Sequence, residues 1–175
     1  MLNISLSSDC SLITITSTVS NYADADIETI DIAWKVNCCD TSKKTYQITD
    51  FTTPDSYLVD NSGTREIQLT PTFFSTTDAI TDGIYSITIK VTKDDDSFVE
   101  EKGCVFVDCY LKCKIVDCIE QGDYEAHRLY EGIKMAIECE DTDCDCESSC
   151  EILEILQNKL GLDSKKNEKI NDCGC

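Results

Sequence analysis

Positive charge is what this chain has least of. Fifteen lysines and arginines stand against 34 aspartates and glutamates, a formal net charge of −19. The deficit is even along the chain: residues 1–103 hold 17 acids and 7 bases, and residues 104–175 hold 17 and 8. Neither half carries a basic patch, so the surface repels phosphate at any distance inside a Debye length. That speaks against specific nucleic-acid binding and against a place on an anionic membrane. An acidic wall along a channel through which DNA slides without sticking remains compatible with this charge. No apolar run approaches the length of a membrane span. There is no glycine-rich phosphate loop, no G-x-S-x-G and no H-E-x-x-H. The single histidine, His127, has no recognisable cysteine partner, orienting group or oxyanion site in the sequence, so a surface or boundary histidine is the expectation. The N-terminus lacks a Lys/Arg region followed by an unbroken apolar core and does not read as a signal peptide. Synthesis in a reducing cytosol is the corresponding expectation, and cysteines there are free thiols or metal ligands.

Apolar residues make up 41% of the 175 positions, enough to bury one generous core or two small ones. Their spacing changes once. Residues 2–107 show period-2 alternation broken by turn signals. Ile30, Ile32, Trp34 and Val36 share one face, and Tyr85, Ile87, Ile89 and Val91 share another. Shorter candidates lie at Leu2–Leu6, Ile13–Ile15, Tyr46–Ile48, Tyr57–Val59 and Arg65–Leu69. The stretch Thr72–Thr81 reads as a crossing between sheets. Lys93-Asp94-Asp95-Asp96 reads as a hairpin turn leading to a return strand, Phe98–Val107, with a bulge at Gly103.

Seven or eight short strands in about 107 residues predict an immunoglobulin-like antiparallel β-sandwich. The only tryptophan sits in a mid-domain strand. Asp82-Gly83-Ile84-Tyr85 has the form of a tyrosine corner, and Ile87 stands where an antibody domain would have its second cysteine, so no inter-sheet disulfide is expected there.

From Asp108 the period becomes helical. Three helices are predicted: Asp108 to about Glu120, Tyr124–Cys139, and a third from an N-cap at Ser148 or Ser149 to Leu160. The fold class is therefore α+β, strands first, with a sandwich domain over residues 1–107 and a cysteine-rich helical region with a polar tail over 108–175. No flexible linker separates Val107 from Asp108.

Thirteen cysteines are far above the average, and ten lie at or after Cys104. The densest group, Cys139, Cys144, Cys146 and Cys150, has enough thiols to close a tetrahedral zinc site. The carboxylates of Glu138, Glu140, Asp141, Asp143, Asp145 and Glu147 crowd the same segment and oppose thiol ionisation. Cys109 and Cys113, four apart on one helix face, could combine with Cys173 and Cys175 in a second site. The plain alternative is that most of these thiols are small apolar fillers. Disulfides formed in an oxidising medium are a third.

The Ser/Thr-rich β half, the strand DGIYSITI at Asp82–Ile89, the segment CVFVDCYLKCK at Cys104–Lys114 and a tail ending in paired cysteines resemble small virion proteins of tailed bacteriophages infecting Bacteroidetes, the crAss-like group in particular. The resemblance implies a non-enzymatic structural protein of the tail or head–tail junction. It would be made in the host cytoplasm, be repeated around a homo-oligomeric ring, and touch portal, tail or other ring subunits in the virion. It implies no cofactor and no catalytic residue. Two other functions fit the sequence: a cysteine-rich metal-binding or redox module, and an extracellular adhesion-type sandwich stapled by disulfides.

Overall fold

The computed structural model describes residues 2–16, 26–37, 43–50, 57–61, 64–122, 124–137 and 146–162. Eight strands form first: β1 (Asn3–Leu6), β2 (Ile13–Thr16), β3 (Ile27–Val36), β4 (Lys44–Ile48), β5 (Leu58–Asn61), β6 (Thr64–Leu69), β7 (Gly83–Lys93) and β8 (Phe98–Val107). Helices α1 (Cys109–Glu120), α2 (Tyr124–Ile137) and α3 (Cys146–Lys159) follow. The strands pair into two antiparallel four-stranded sheets ordered β1-β2-β6-β5 and β4-β3-β7-β8. This is the expected α+β architecture, strands before helices, and its two sheets pack as a sandwich.

Alternation decides which side chains meet between the sheets. In β3 and β7 the register sets Ile30 opposite Val91, Ile32 opposite Ile89 and Trp34 opposite Ile87. All six are buried, and Ile32, Ile87 and Ile89 are wholly so. The other sheet answers with Ile13, Ile15, Ile67 and Leu69. Between β6 and β7 the chain crosses from one sheet to the other through a short 3-10 turn, Pro71–Phe74. It delivers both phenylalanines to Trp34: Phe73 in a tilted pair with ring centroids 4.4 Å apart, and Phe74 in a T-shaped pair at 5.9 Å. Tyr46 and Tyr57 complete this aromatic end of the core. Such tilted and edge-on pairs favour opposed quadrupole signs and add about 0.5–1.5 kcal/mol each beyond burial.

Two local expectations are corrected. Gly103 is not at a bulge, because the β7–β8 register runs unbroken through Ile87 and Gly103. The glycine is there for room: a Cβ at that position would lie 2.8 Å from Ile4 Cδ1 and 3.2 Å from Leu2 Cβ. β1 crosses so close to β8 that only hydrogen fits. The register shift falls instead in β3, between Ile27 and Thr29. Ser149 is not the N-cap of α3, since the helix opens at Cys146 and Ser149 lies wholly buried in its first turns. α2 is described as far as Ile137; its predicted end at Cys139 lies outside the described residues, as does the polar tail from 163.

A second apolar cluster lies against the outer side of the β4-β3-β7-β8 sheet. Ile84 and Phe106, paired in register, point away from the sandwich core. They are covered by Leu111 and Ile115 of α1, Ala126, Tyr130 and Ile133 of α2, and Leu153 and Leu156 of α3. Ile84 and Phe106 thus interrupt the polar outer face of their strands because helices cover that end. Burying each contributes about 1.5–3 kcal/mol.

Candidate functional site

The densest chemistry among the described residues lies where β7 starts and α1 begins. β3 ends at Val36, and the next residue, Asn37, turns the chain with a φ of 49°, in the left-handed region that asparagine tolerates. Its N–H donates to Ile84 O at 2.8 Å, and its side-chain Oδ1 accepts the Ile84 N–H at 3.1 Å. Gly83 makes this approach feasible, since a Cβ there would stand 2.9 Å from Asn37 Oδ1. Two residues on, Tyr85 is buried and its hydroxyl donates to Thr81 O at 2.8 Å. That is the predicted tyrosine corner. Burial, with a smaller contribution from the nearby Asp82 charge, pushes the phenol well above its usual range.

Asp82 is the surprise. Its carboxylate reaches across to α1 and accepts the backbone N–H groups of Tyr110 at 3.2 Å and Leu111 at 2.6 Å. Asp108 is the N-cap residue by position but makes no side-chain capping bond. A residue of the preceding loop therefore satisfies the orphan donors of the helix. Desolvation raises Asp82 to about 6; the two N–H bonds oppose this, and the Asp108 carboxylate adds to it more than the Lys112 ammonium subtracts. Asp108 is buried and turns elsewhere: Tyr130 Oη donates to Oδ2 at 2.6 Å, and Lys112 Nζ lies 2.8 Å from Oδ1. Burial first, then the bond to Asp108, holds the Tyr130 phenol far above its usual range.

A covalent tie adds to these contacts. Cys10, in the β1–β2 turn, and Cys109, the first residue of α1, form a disulfide with Cα atoms 6.2 Å apart, closing a span of 99 residues. The turn carrying Cys10 is itself well bonded. Asp9 Oδ1 accepts from the Ser7 and Ser11 hydroxyls and the Ser11 N–H, which lower its carboxyl to about 2. The junction is thus held by a disulfide, a side-chain cap donated by another element, and the Ile84/Phe106 cluster.

This corrects the expectations for cysteine. Cys109 is in a disulfide rather than in a metal set with Cys113, and Cys104 and Cys150 are also disulfide-bonded. Free thiols and apolar fillers are therefore not the main use among the described cysteines, although Cys118 is a half-buried free thiol. Of the four residues predicted to offer zinc ligands, Cys139 and Cys144 lie outside the described residues, Cys146 opens α3, and Cys150 is buried and oxidised. A disulfide sulfur is not a thiolate ligand, so that set requires reduction before it could hold zinc. Among the described residues no group of three or more His, Cys, Asp and Glu is placed to hold a metal ion. His127 is half-buried, and its Nδ1 is enclosed without a hydrogen-bond partner. No helix of the described residues is long and apolar enough to cross a membrane.

Sequence reasoning found Tyr85 and missed Asp82, Asp108 and Tyr130. A carboxylate capping a helix that starts 27 positions later leaves no local spacing to read.

No family model matches the sequence, and no curated protein matches it. Among solved structures the chain is similar to a family 76 glycoside hydrolase from a bovine Bacteroides thetaiotaomicron strain. Identity is 17% and the TM-score 0.40, over 76% of this chain and 24% of that one. The chain spans about a quarter of that enzyme's length, and a likeness at this level carries no argument about activity.

Proposed function

We propose that the protein is a non-enzymatic structural component of a phage virion, a ring or connector subunit of the tail or head–tail junction. The observation that carries this reading is the fixed attachment of the helices to the sandwich through Cys10–Cys109, Asp82 and the Ile84/Phe106 cluster. A subunit repeated around a ring must present the same contact surfaces in the same relative orientation in every copy, because small angular errors accumulate and prevent closure. A junction tied in three ways meets that need. The sandwich also offers two polar sheet faces for lateral contact, and its acidity suits a soluble subunit that neighbours DNA without adhering to it.

Electron microscopy of the purified protein, or of its parent particle, tests the reading. A closed ring or an embedded repeating subunit is expected. A protein that stays monomeric at every concentration and binds neither portal nor tail proteins overturns it.

The disulfides favour a second reading, an extracellular adhesion-type sandwich. Glycan and cell-surface binding assays separate the two, because a virion ring subunit should bind its own neighbours and no cell-surface ligand.

A further inference from the structure

Cys10 sits where the backbone favours glycine. Its φ of 54° lies in the left-handed region, directly after a β-turn that its own N–H closes on Ser7 O at 3.0 Å. Ser8 and Asp9 are exposed, yet Cys10 is wholly buried and belongs to the core between the sheets. Its carbonyl accepts the N–H of Ile80, also wholly buried, at 2.9 Å. The turn is thus seated on the core, and the Asp9 carboxylate, bonded to Ser7 and Ser11, holds its shape. Cys109 differs. It opens α1, is half-buried, and its Sγ lies 3.5 Å from Ser8 O.

This asymmetry governs exchange with thiols. Exchange is an in-line displacement, in which a thiolate bonds to one sulfur while the other departs as a thiolate on the opposite side. Attack on Cys109 Sγ by a small thiolate, RS⁻, expels Cys10 into an apolar, desolvated site that disfavours its charge. Attack on Cys10 Sγ expels Cys109 at a helix N-terminus, a better place for a thiolate, but the attacker must then enter the core. The accessible sulfur and the good leaving group are therefore the same residue. Microscopic reversibility puts the same obstacle in the way of bond formation.

We propose that Cys10–Cys109 is a conformationally gated redox lock on the joint between sandwich and helices: it is made and broken only while the β1–β2 turn is lifted off the core, and it resists small thiols once the turn is seated. With the turn lifted, RS⁻ bonds to Cys10 Sγ and releases the Cys109 thiolate, which takes up a proton. A second RS⁻ attacks the outer sulfur of that mixed disulfide, forming RS–SR and releasing the Cys10 thiolate, which is protonated in turn. One protein disulfide becomes two thiols, and two small thiols become one disulfide. The reverse, driven by a small disulfide such as oxidised glutathione, sets the lock. The joint thereby keeps its orientation in thiol-rich surroundings, a property that does not depend on ring formation.

The test incubates full-length, disulfide-intact protein with reduced glutathione, folded and in unfolding urea, at one pH and one thiol concentration. Samples quenched by alkylation are mapped by mass spectrometry at Cys10 and Cys109. The folded protein should lose this bond more than about tenfold more slowly than the unfolded chain, which requires only about 1.4 kcal/mol of local opening energy. An Asp9→Ala variant, which loosens the turn but leaves both cysteines in place, should lose the bond about fivefold faster than wild type, the effect of about one hydrogen bond. A folded-state rate within about tenfold of the unfolded rate overturns the proposal, and a glutathione adduct on Cys109 would then identify direct attack on the half-buried sulfur. A protected bond whose reduction Asp9→Ala leaves unchanged also overturns it, because the turn would not be the gate.

Discussion

Asp82 accepts the N–H of Leu111 at 2.6 Å, so a carboxylate in the loop before β7 caps a helix that begins after β8. This bond joins the hairpin that ends the sandwich to the first helical turn. It also places a desolvated charge at the joint, where the helix N-terminus favours it and the Asp108 carboxylate opposes it.

The pH dependence follows from the direction of that shift. The folded-state value, about 6, exceeds the ordinary 3.8, so the native state holds its proton more tightly than the unfolded chain. Between these values the native state binds more protons, and stability falls as pH rises. Ionised Asp82 thus imposes its full cost at neutral pH. Relative to an Asp82→Asn variant, wild-type protein should gain about 1–3 kcal/mol on acidification from neutrality to about pH 4. Urea unfolding of both proteins across that range checks this; parallel stability profiles would show that Asp82 is not the group responsible.

Breaking the Cys10–Cys109 bond should cost more than losing any single hydrogen bond. Cross-linking residues 99 apart restricts the unfolded chain by about 4–5 kcal/mol in the chain-entropy description. A Cys10→Ser/Cys109→Ser protein should unfold at lower denaturant by that order, with most of its β-sheet signal retained. Equal midpoints for wild type and variant would mean that the bond does not constrain the unfolded state.

Gly103→Val tests the close passage of β1 over β8. Its Cβ would fall 2.8 Å from Ile4 Cδ1 and 3.2 Å from Leu2 Cβ, so β1 must move. The expected loss is about 1–3 kcal/mol, the usual cost of overpacking. An Ile4→Ala change in the same chain should recover part of it. Additive losses in a double-mutant cycle would place the strain elsewhere.

Zinc content tests the competing reading of the cysteines. Protein purified with its disulfides intact should hold substoichiometric zinc, because Cys150 is oxidised and the carboxylates around Cys139, Cys144 and Cys146 disfavour thiolates. One equivalent of tightly held zinc, lost together with helical signal on chelation, would establish a metal site there.

Much of the fold was legible because it depends on short-range pattern. Strand alternation around Trp34 and Ile87, and the Asp-Gly-Ile-Tyr sequence of the corner, are local signals, and both sheets follow from them. The cysteine chemistry was not legible, since Cys10 and Cys109 meet only after two sheets have packed. Gly103 misled for a related reason. Glycine inside a strand marks either a bulge or a close approach, and only the path of β1 decides between them. The Asp82 cap and the Asp108–Tyr130 pair likewise depend on where the helices dock, which leaves no mark in linear spacing.

The central claim is that this chain is a rigid repeating unit of a virion ring, and cryo-electron microscopy of the assembled protein tests it most directly. The expected map is a closed ring in which every copy holds the same angle between sandwich and helices, with Asp82 against the start of α1. Particles that remain single, or copies whose helices take different angles to their sandwiches, would contradict it.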